Sequence, residues 1–205
     1  PMQEQFGWSD SQVGFIFSSF YLGYMLTMAL GGYLSDKFGG KRVLGWGVVL
    51  WSIFTILTPL AAHNGFFALF FIRILMGIGE GVTFPAWHSL YARWIPFNER
   101  TRAIAFTNSG VSIGTIIGYI GTQMIILAMG WEWAFYIFGI VGLVWFIFWN
   151  RNVTSYPNEH KRISAEELAY IQENAPSSEP AKKIPLRQLL VNKPFLAIVA
   201  ATFAN

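Results

Sequence analysis

The stretch RILMGIGEGVTFPAWHSLYARWIPFNER, residues 73–100, decides how this chain has to be read. It opens on Arg73 and carries Glu80 seven residues later, both inside an apolar run. In water that run would be a core helix and its two ionised groups an anomaly. In a bilayer it is a span, and ionisable groups at membrane depth turn toward the bundle interior or a wet cavity, where they mark ion and substrate routes. The residues on either side determine which solvent applies.

The chain has 205 residues, of which 54% are hydrophobic and 12% charged, against about 25% charged in soluble domains. Mean hydropathy is +0.43. A soluble chain of this size could not cover so much apolar surface, so the expected solvent is the bilayer. Five apolar stretches reach the ~20 residues a span requires, near 13–34, 43–62, 66–90, 103–128 and 132–149, and a sixth begins at Pro194. The predicted fold class is all-α, a polytopic membrane helical bundle over 1–149. A cytoplasmic linker follows at 150–193, and 194–205 starts the next span. Because the chain opens on one side and ends inside a span, it reads as an interior piece of a longer protein.

The connections alternate in charge. KFGGKR (37–42) and YARWIPFNERTR (91–102) are basic, whereas AHNG (62–65) and MGWE (129–132) hold no Lys or Arg. The positive-inside rule then places residues 1–12 outside and 150–193 in the cytoplasm. Residues 1–10 lack the basic start and apolar core of a signal peptide. In the linker, SAEE at 164–167 reads as a capping box opening a helix over Ala165–Asn174, with Leu168 and Ile171 on one face. Its expected role is an amphipathic bridge on the membrane surface.

The formal charge of +3 and the lack of a basic aromatic patch give no sign of nucleic-acid binding. The chain contains no cysteine, which removes disulfides, thiolate metal sites and thiol nucleophiles. No nucleophile–base pair, metal cluster or phosphate loop is apparent, so neither an enzyme nor a cofactor or metal is expected. GIGEG (77–81) is no phosphate loop, since it lacks the Lys-Ser/Thr ending.

Seven helical residues make nearly two turns, which puts Arg73 and Glu80 on one face about 10 Å apart along the axis. A neutral carboxylic acid is much cheaper to hold in low dielectric than a carboxylate, so Glu80 is the candidate for proton exchange. Arg73 stays charged and can hold an anion or Glu80, but not both equally well. That competition would couple protonation to anion binding. The plainer alternative is a fixed ion pair that packs helices together.

Two motifs carry a family resemblance. GGYLSDKFGGKR (31–42) resembles the cytoplasmic gate motif of the major facilitator superfamily, through Gly32, Asp36, Lys37, Gly39, Lys41 and Arg42. Asp36 there can sit at a helix N-terminus or accept from an arginine, and the motif implies a latch that breaks when the carrier switches states. Arg73, Gly77, Glu80, Pro85, Trp94, Pro96, Glu99 and Arg100, with HKRISAEELAYI (160–171), resemble the anion:cation symporter branch, which includes sialin, the vesicular glutamate transporters and bacterial galactonate and hexuronate carriers. The resemblance implies the second to sixth of twelve spans, the central linker and the start of the seventh span, with substrate near the midplane. It implies proton coupling through Glu80 and Arg73, and substrate contact by Arg73 and Tyr24.

Other residues read more plainly. His88 fits a packing role and is not counted as a proton site. Gly110, Gly114 and Gly118 predict a close helix–helix contact. Trp131 and Trp133 read as anchors at the outer membrane edge. Asp36, Phe17 and Leu30 depart from the vesicular glutamate carriers and argue against glutamate as substrate. The expected function is a secondary transporter moving a small organic anion, such as a sugar acid, coupled to protons or sodium. Its partners would be that anion, the coupling ion and the lipid bilayer. The expected membrane is the plasma membrane or a bacterial inner membrane. Inorganic phosphate transport is the alternative within the family, and a non-transporting subunit of a membrane assembly the alternative outside it.

Overall fold

The computed structural model describes residues 2–175, apart from the Ala29 side chain, and the described elements are all helical. A short helix α1 (Met2–Phe6) precedes α2 (Asp10–Phe38), α3 (Gly40–His63), α4 (Phe66–Glu80), α5 (Thr83–Trp94), α6 (Arg100–Met129), α7 (Trp131–Asn152) and α8 (Ala165–Asn174). Four spans are long and apolar enough to cross a membrane, and α2, bent by 48°, makes a fifth. The remainder of the predicted linker and the start of a further span at 194–205 lie outside the described residues.

Each predicted span has its helix, generally longer by a few residues at the ends. The third is interrupted. Residues 66–94 cross as α4 and α5 with a break at Gly81 and Val82. Pro85 supplies the cause, because it has no N–H to give the Gly81 carbonyl, and it is tolerated in the first turn of the new helix. Its ring packs where a side chain on Gly31 of α2 would have to go.

The interior is built on backbone contact between α2 and α4. A Cβ on Gly23 would collide with the Ile74 carbonyl oxygen, and one on Gly77 with the Phe20 carbonyl oxygen. Only glycine lets the two helices approach so closely. Two clusters close the ends. Ile16, Ala61, Ala62, Leu69 and Trp131 form one with α1 residues Met2 and Phe6 beside them, while Leu44, Val48 and Ala86 form the other under Trp87 and Trp149.

Three expectations need correction. Trp131 is only 7% exposed, with its indole N–H donating to Gln5 Oε1 at 2.7 Å, so it is a core residue; Trp133, 47% exposed, keeps an outward position. Gly110, Gly114 and Gly118 have nothing within 4 Å, because α6 packs chiefly on α7 through another face. Ser164 Oγ accepts from the Glu167 amide at 3.1 Å without a return bond, so it is a simple cap. The full capping box lies at Ser9 and Gln12, opening α2.

Candidate functional site

Glu80 is the last residue of α4 and is set by the glycines beside it. A Cβ on Gly79 would meet the Trp51 amide and Gly47 carbonyl of α3, and one on Gly81 the Tyr24 carbonyl and Thr27 hydroxyl of α2. Glu80 is thus held where α4 touches both neighbours. Tyr24 lies one helix across, with its carbonyl against Gly81 and its ring against Phe20 at 5.8 Å. The sequence expectation set Tyr24 with Arg73 as substrate contacts, whereas Tyr24 stands by the Glu80 end of α4.

Arg73 occupies a different place. It lines a cavity of about 380 Å³ between α2, α3, α4, α6 and α7, together with Phe17, Thr55, Thr122, Phe135 and Phe138. Its guanidinium carbon lies 6.0 Å from the Phe135 ring centre, a cation–π contact that offsets part of the cost of burial. Its Nε is buried and has no hydrogen-bond partner. An unmet buried donor of this kind is destabilising by roughly 1–3 kcal/mol. Thr55, which could reach an anion from the same wall, gives its hydroxyl to the Trp51 carbonyl at 2.7 Å.

Arg73 and Glu80 make no ion pair in this conformation, since the ion pair among the described residues joins Arg93 and Asp36. The fixed-pair alternative therefore does not describe this state. The near two-turn separation along α4 puts them about 10 Å apart along the axis, too far for a direct pair.

The gate-motif residues meet at the opposite, basic end. Asp36 forms an ion pair with Arg93 Nη2 at 3.9 Å, with the aspartate side chain 74% and the arginine 15% exposed. A pair so long and open contributes ~0–1 kcal/mol. Asp36 does not cap α3, whose N-terminus has no side-chain cap. Gly39 turns the chain at φ +87°, and a Cβ there would strike the Ser155 hydroxyl. Lys41 Nζ donates to the Asn150 carbonyl at 2.9 Å, and Trp149 Nε1 to the Lys41 carbonyl at 3.1 Å. Gly32 has open space around it, and Lys37 lies over the Tyr33 and Phe38 rings.

Sequence reasoning missed how the segment after α7 fastens this end. Trp94 Nε1 donates to the Thr154 carbonyl at 3.1 Å, Arg93 stacks 4.6 Å from the Tyr156 ring centre, and Trp94 meets the His160 ring edge-on. Farther out, Tyr170 donates to Glu99 Oε1 at 2.9 Å, and this carboxylate keeps the phenol protonated to higher pH than an ordinary tyrosine. The aromatic content of 91–100 was the available signal; the partners lie some 60 residues away and no local pattern names them. His88 is exposed and touches the Tyr91 ring, which fits its packing role. Among the described residues, no three His, Cys, Asp or Glu side chains gather as metal ligands.

Comparison with known proteins agrees with this architecture. Residues 1–205 match the family model described as Major Facilitator Superfamily. Over all 205 residues the chain is 44% identical to "Probable anion transporter 4, chloroplastic" of Oryza sativa subsp. japonica and 42% identical to "Sodium-dependent phosphate transport protein 1, chloroplastic" of Arabidopsis thaliana, spanning 35% and 40% of those proteins. Human sialin is 37% identical over 98% of the chain and 41% of sialin. The chain thus spans well under half the length of these relatives. The proton:xylose symporter XylE, solved with 6-bromo-6-deoxy-D-glucose, superposes with a TM-score of 0.66 over 83% of this chain and 42% of its own, at 21% identity, which is a likeness of fold. These are transporters rather than enzymes, and the chloroplastic relatives lend no support to a plasma or bacterial inner membrane. With its helices, gate motif and full-length family match, this multi-pass membrane chain belongs to the major facilitator superfamily.

Proposed function

We propose that the chain is the greater part of the first helical half of a secondary transporter that moves a small anion by alternating access. The single observation that supports this best is Arg73: a guanidinium whose buried Nε–H has no partner, on the wall of a cavity between the helices. A scaffold has no need of such a group, whereas an anion supplies the missing acceptor, bidentate and charge-assisted. Glu80, nearly two turns farther along α4, is the proton-coupling residue that works with Arg73, and Tyr24 of α2 is a further substrate contact, so anion and proton sites are linked through one helix. The substrate we infer is a small carboxylate such as a sugar acid, in line with the relatives named as anion transporters and with sialin. Inorganic phosphate with sodium is the second reading, favoured by the relative named for sodium-dependent phosphate transport. The cytoplasmic linker and following span complete the proposed domain plan.

The test is uptake by the complete protein in proteoliposomes, with labelled sugar acids and phosphate under an imposed pH or sodium gradient. Glu80→Gln runs beside it, because the amide keeps the shape and cannot release a proton. The expected result is proton-driven uptake that falls by about tenfold or more in the variant, a loss equivalent to ~1.4 kcal/mol, while counterflow exchange persists. A variant that answers the pH gradient like the native protein refutes the role of Glu80. Uptake driven by sodium alone moves the coupling ion to the second reading.

A further inference from the structure

Two cavities meet at Arg42, beside the turn joining α2 to α3. One, of about 410 Å³, is an apolar groove between α2, α3 and α4 walled by Leu34, Val43, Leu50 and Ile78 among others. The other, of about 240 Å³, is polar and gathers Lys37, Lys41, Thr154, Ser155 and Glu159. Phe38 and Arg42 line both. Three cationic side chains there face one carboxylate. The Arg42 side chain is exposed and makes neither a hydrogen bond nor an ion pair, and the Lys37 side chain makes contact with rings alone. The N-terminus of α3 opens beside them without a side-chain cap, so its first-turn amides and dipole add to the positive field.

An apolar groove at membrane depth that leads into a cationic pocket at the basic, cytoplasmic end has the polarity of one kind of ligand. We propose that this seam binds an anionic phospholipid of the inner leaflet, its phosphate on Arg42 and Lys37 at the start of α3 and an acyl chain along Leu34, Val43 and Leu50. A soluble phosphate would use the charges and ignore the groove, and a zwitterionic lipid would gain less from the excess of cations. Anionic lipids are concentrated in the cytoplasmic leaflet and attract basic groups at its surface. The headgroup would also touch Thr154 and Ser155, which lie against the gate-motif turn.

The test places the complete protein in nanodiscs of phosphatidylcholine containing phosphatidylglycerol, reads retained lipid by native mass spectrometry, and maps contacts with a photoactivatable phosphatidylglycerol. The site predicts retention of phosphatidylglycerol over phosphatidylcholine, with cross-links on α2 and α3. Lys37→Gln with Arg42→Gln should lower retention by roughly tenfold or more, in keeping with two lost surface cations, and Arg42→Lys should preserve most of it. Leu50→Trp, which fills the groove and leaves the charges in place, should lower retention independently. Equal retention of the two lipids overturns the proposal. So does displacement by glycerol 3-phosphate alone, which would indicate a headgroup-only anion site, or cross-linking at sites away from this seam, which would indicate that another part of the protein covers the groove.

Discussion

Glu80 and Arg73 answer to different surroundings although they share a helix. Glu80 sits between glycines that abut α3 and the Tyr24 backbone of α2, and Arg73 lies over the Phe135 ring on a cavity wall. Their variants should therefore fail differently. Arg73→Lys keeps the charge and loses the planar fork, so the half-saturating anion concentration should rise about tenfold, equivalent to ~1.4 kcal/mol of binding. Glu80→Gln should leave half-saturation near its native value and remove gradient drive. Initial-rate uptake over a range of anion concentrations separates the two. A shared defect in both variants would mean that the residues act as one unit.

At the scale of helices, a glycine inside a span has two meanings. Gly77 in α4 abuts the backbone of α2, and Gly114 in α6 has open space around it. Gly77→Ala pushes a methyl group into a carbonyl that cannot move alone, and overpacking of this kind is destabilising by about 1–3 kcal/mol. Gly114→Ala meets nothing and gains up to ~1 kcal/mol of helix propensity. Thermal unfolding of the complete protein in detergent should show a clear loss for the first and no loss for the second. A destabilised Gly114→Ala would mean that the α6 stripe is covered in the complete protein. The broken span matters at this scale as well, because the break after Glu80 lets α5 take its own path against Gly31 while α4 stays locked to Gly23.

For the whole molecule, the basic end is a clasp made from three distant pieces: the Gly31–Arg42 turn, the α5–α6 connection and the segment after α7. Its contacts are single hydrogen bonds and ring contacts, with one long exposed ion pair. Such a closure can open without loss of the fold, which the proposed alternating access requires. Ser155, 7% exposed, lies at its centre. This stretch of chain has no cysteine, so Ser155→Cys gives a clean probe within it. Labelling by a membrane-impermeant maleimide should be slow, and several-fold faster once Trp94→Phe removes the indole donor to Thr154, a bond of ~1 kcal/mol. Unchanged labelling would mean that this bond does not hold the clasp.

The hydrophobic pattern by itself determined the five spans, because burial in lipid requires continuous apolar length and a helix satisfies its own backbone, and the Ser164 cap signal marked the short linker helix. Arg73, Glu80 and the gate motif were equally legible, since ionised groups and paired glycines stand out against an apolar background. Only the tertiary structure decided which groups meet. It separated Arg73 from Glu80, joined Asp36 to Arg93, buried Trp131, and gave Gly77 a partner that Gly114 lacks. Helical periodicity states which face a residue occupies, but the neighbour on that face comes from the packing of helices remote in sequence. The break at Gly81–Val82 lay between these limits: Pro85 was visible from the start, and its effect depended on whether α2 offered a glycine for its ring to pack against.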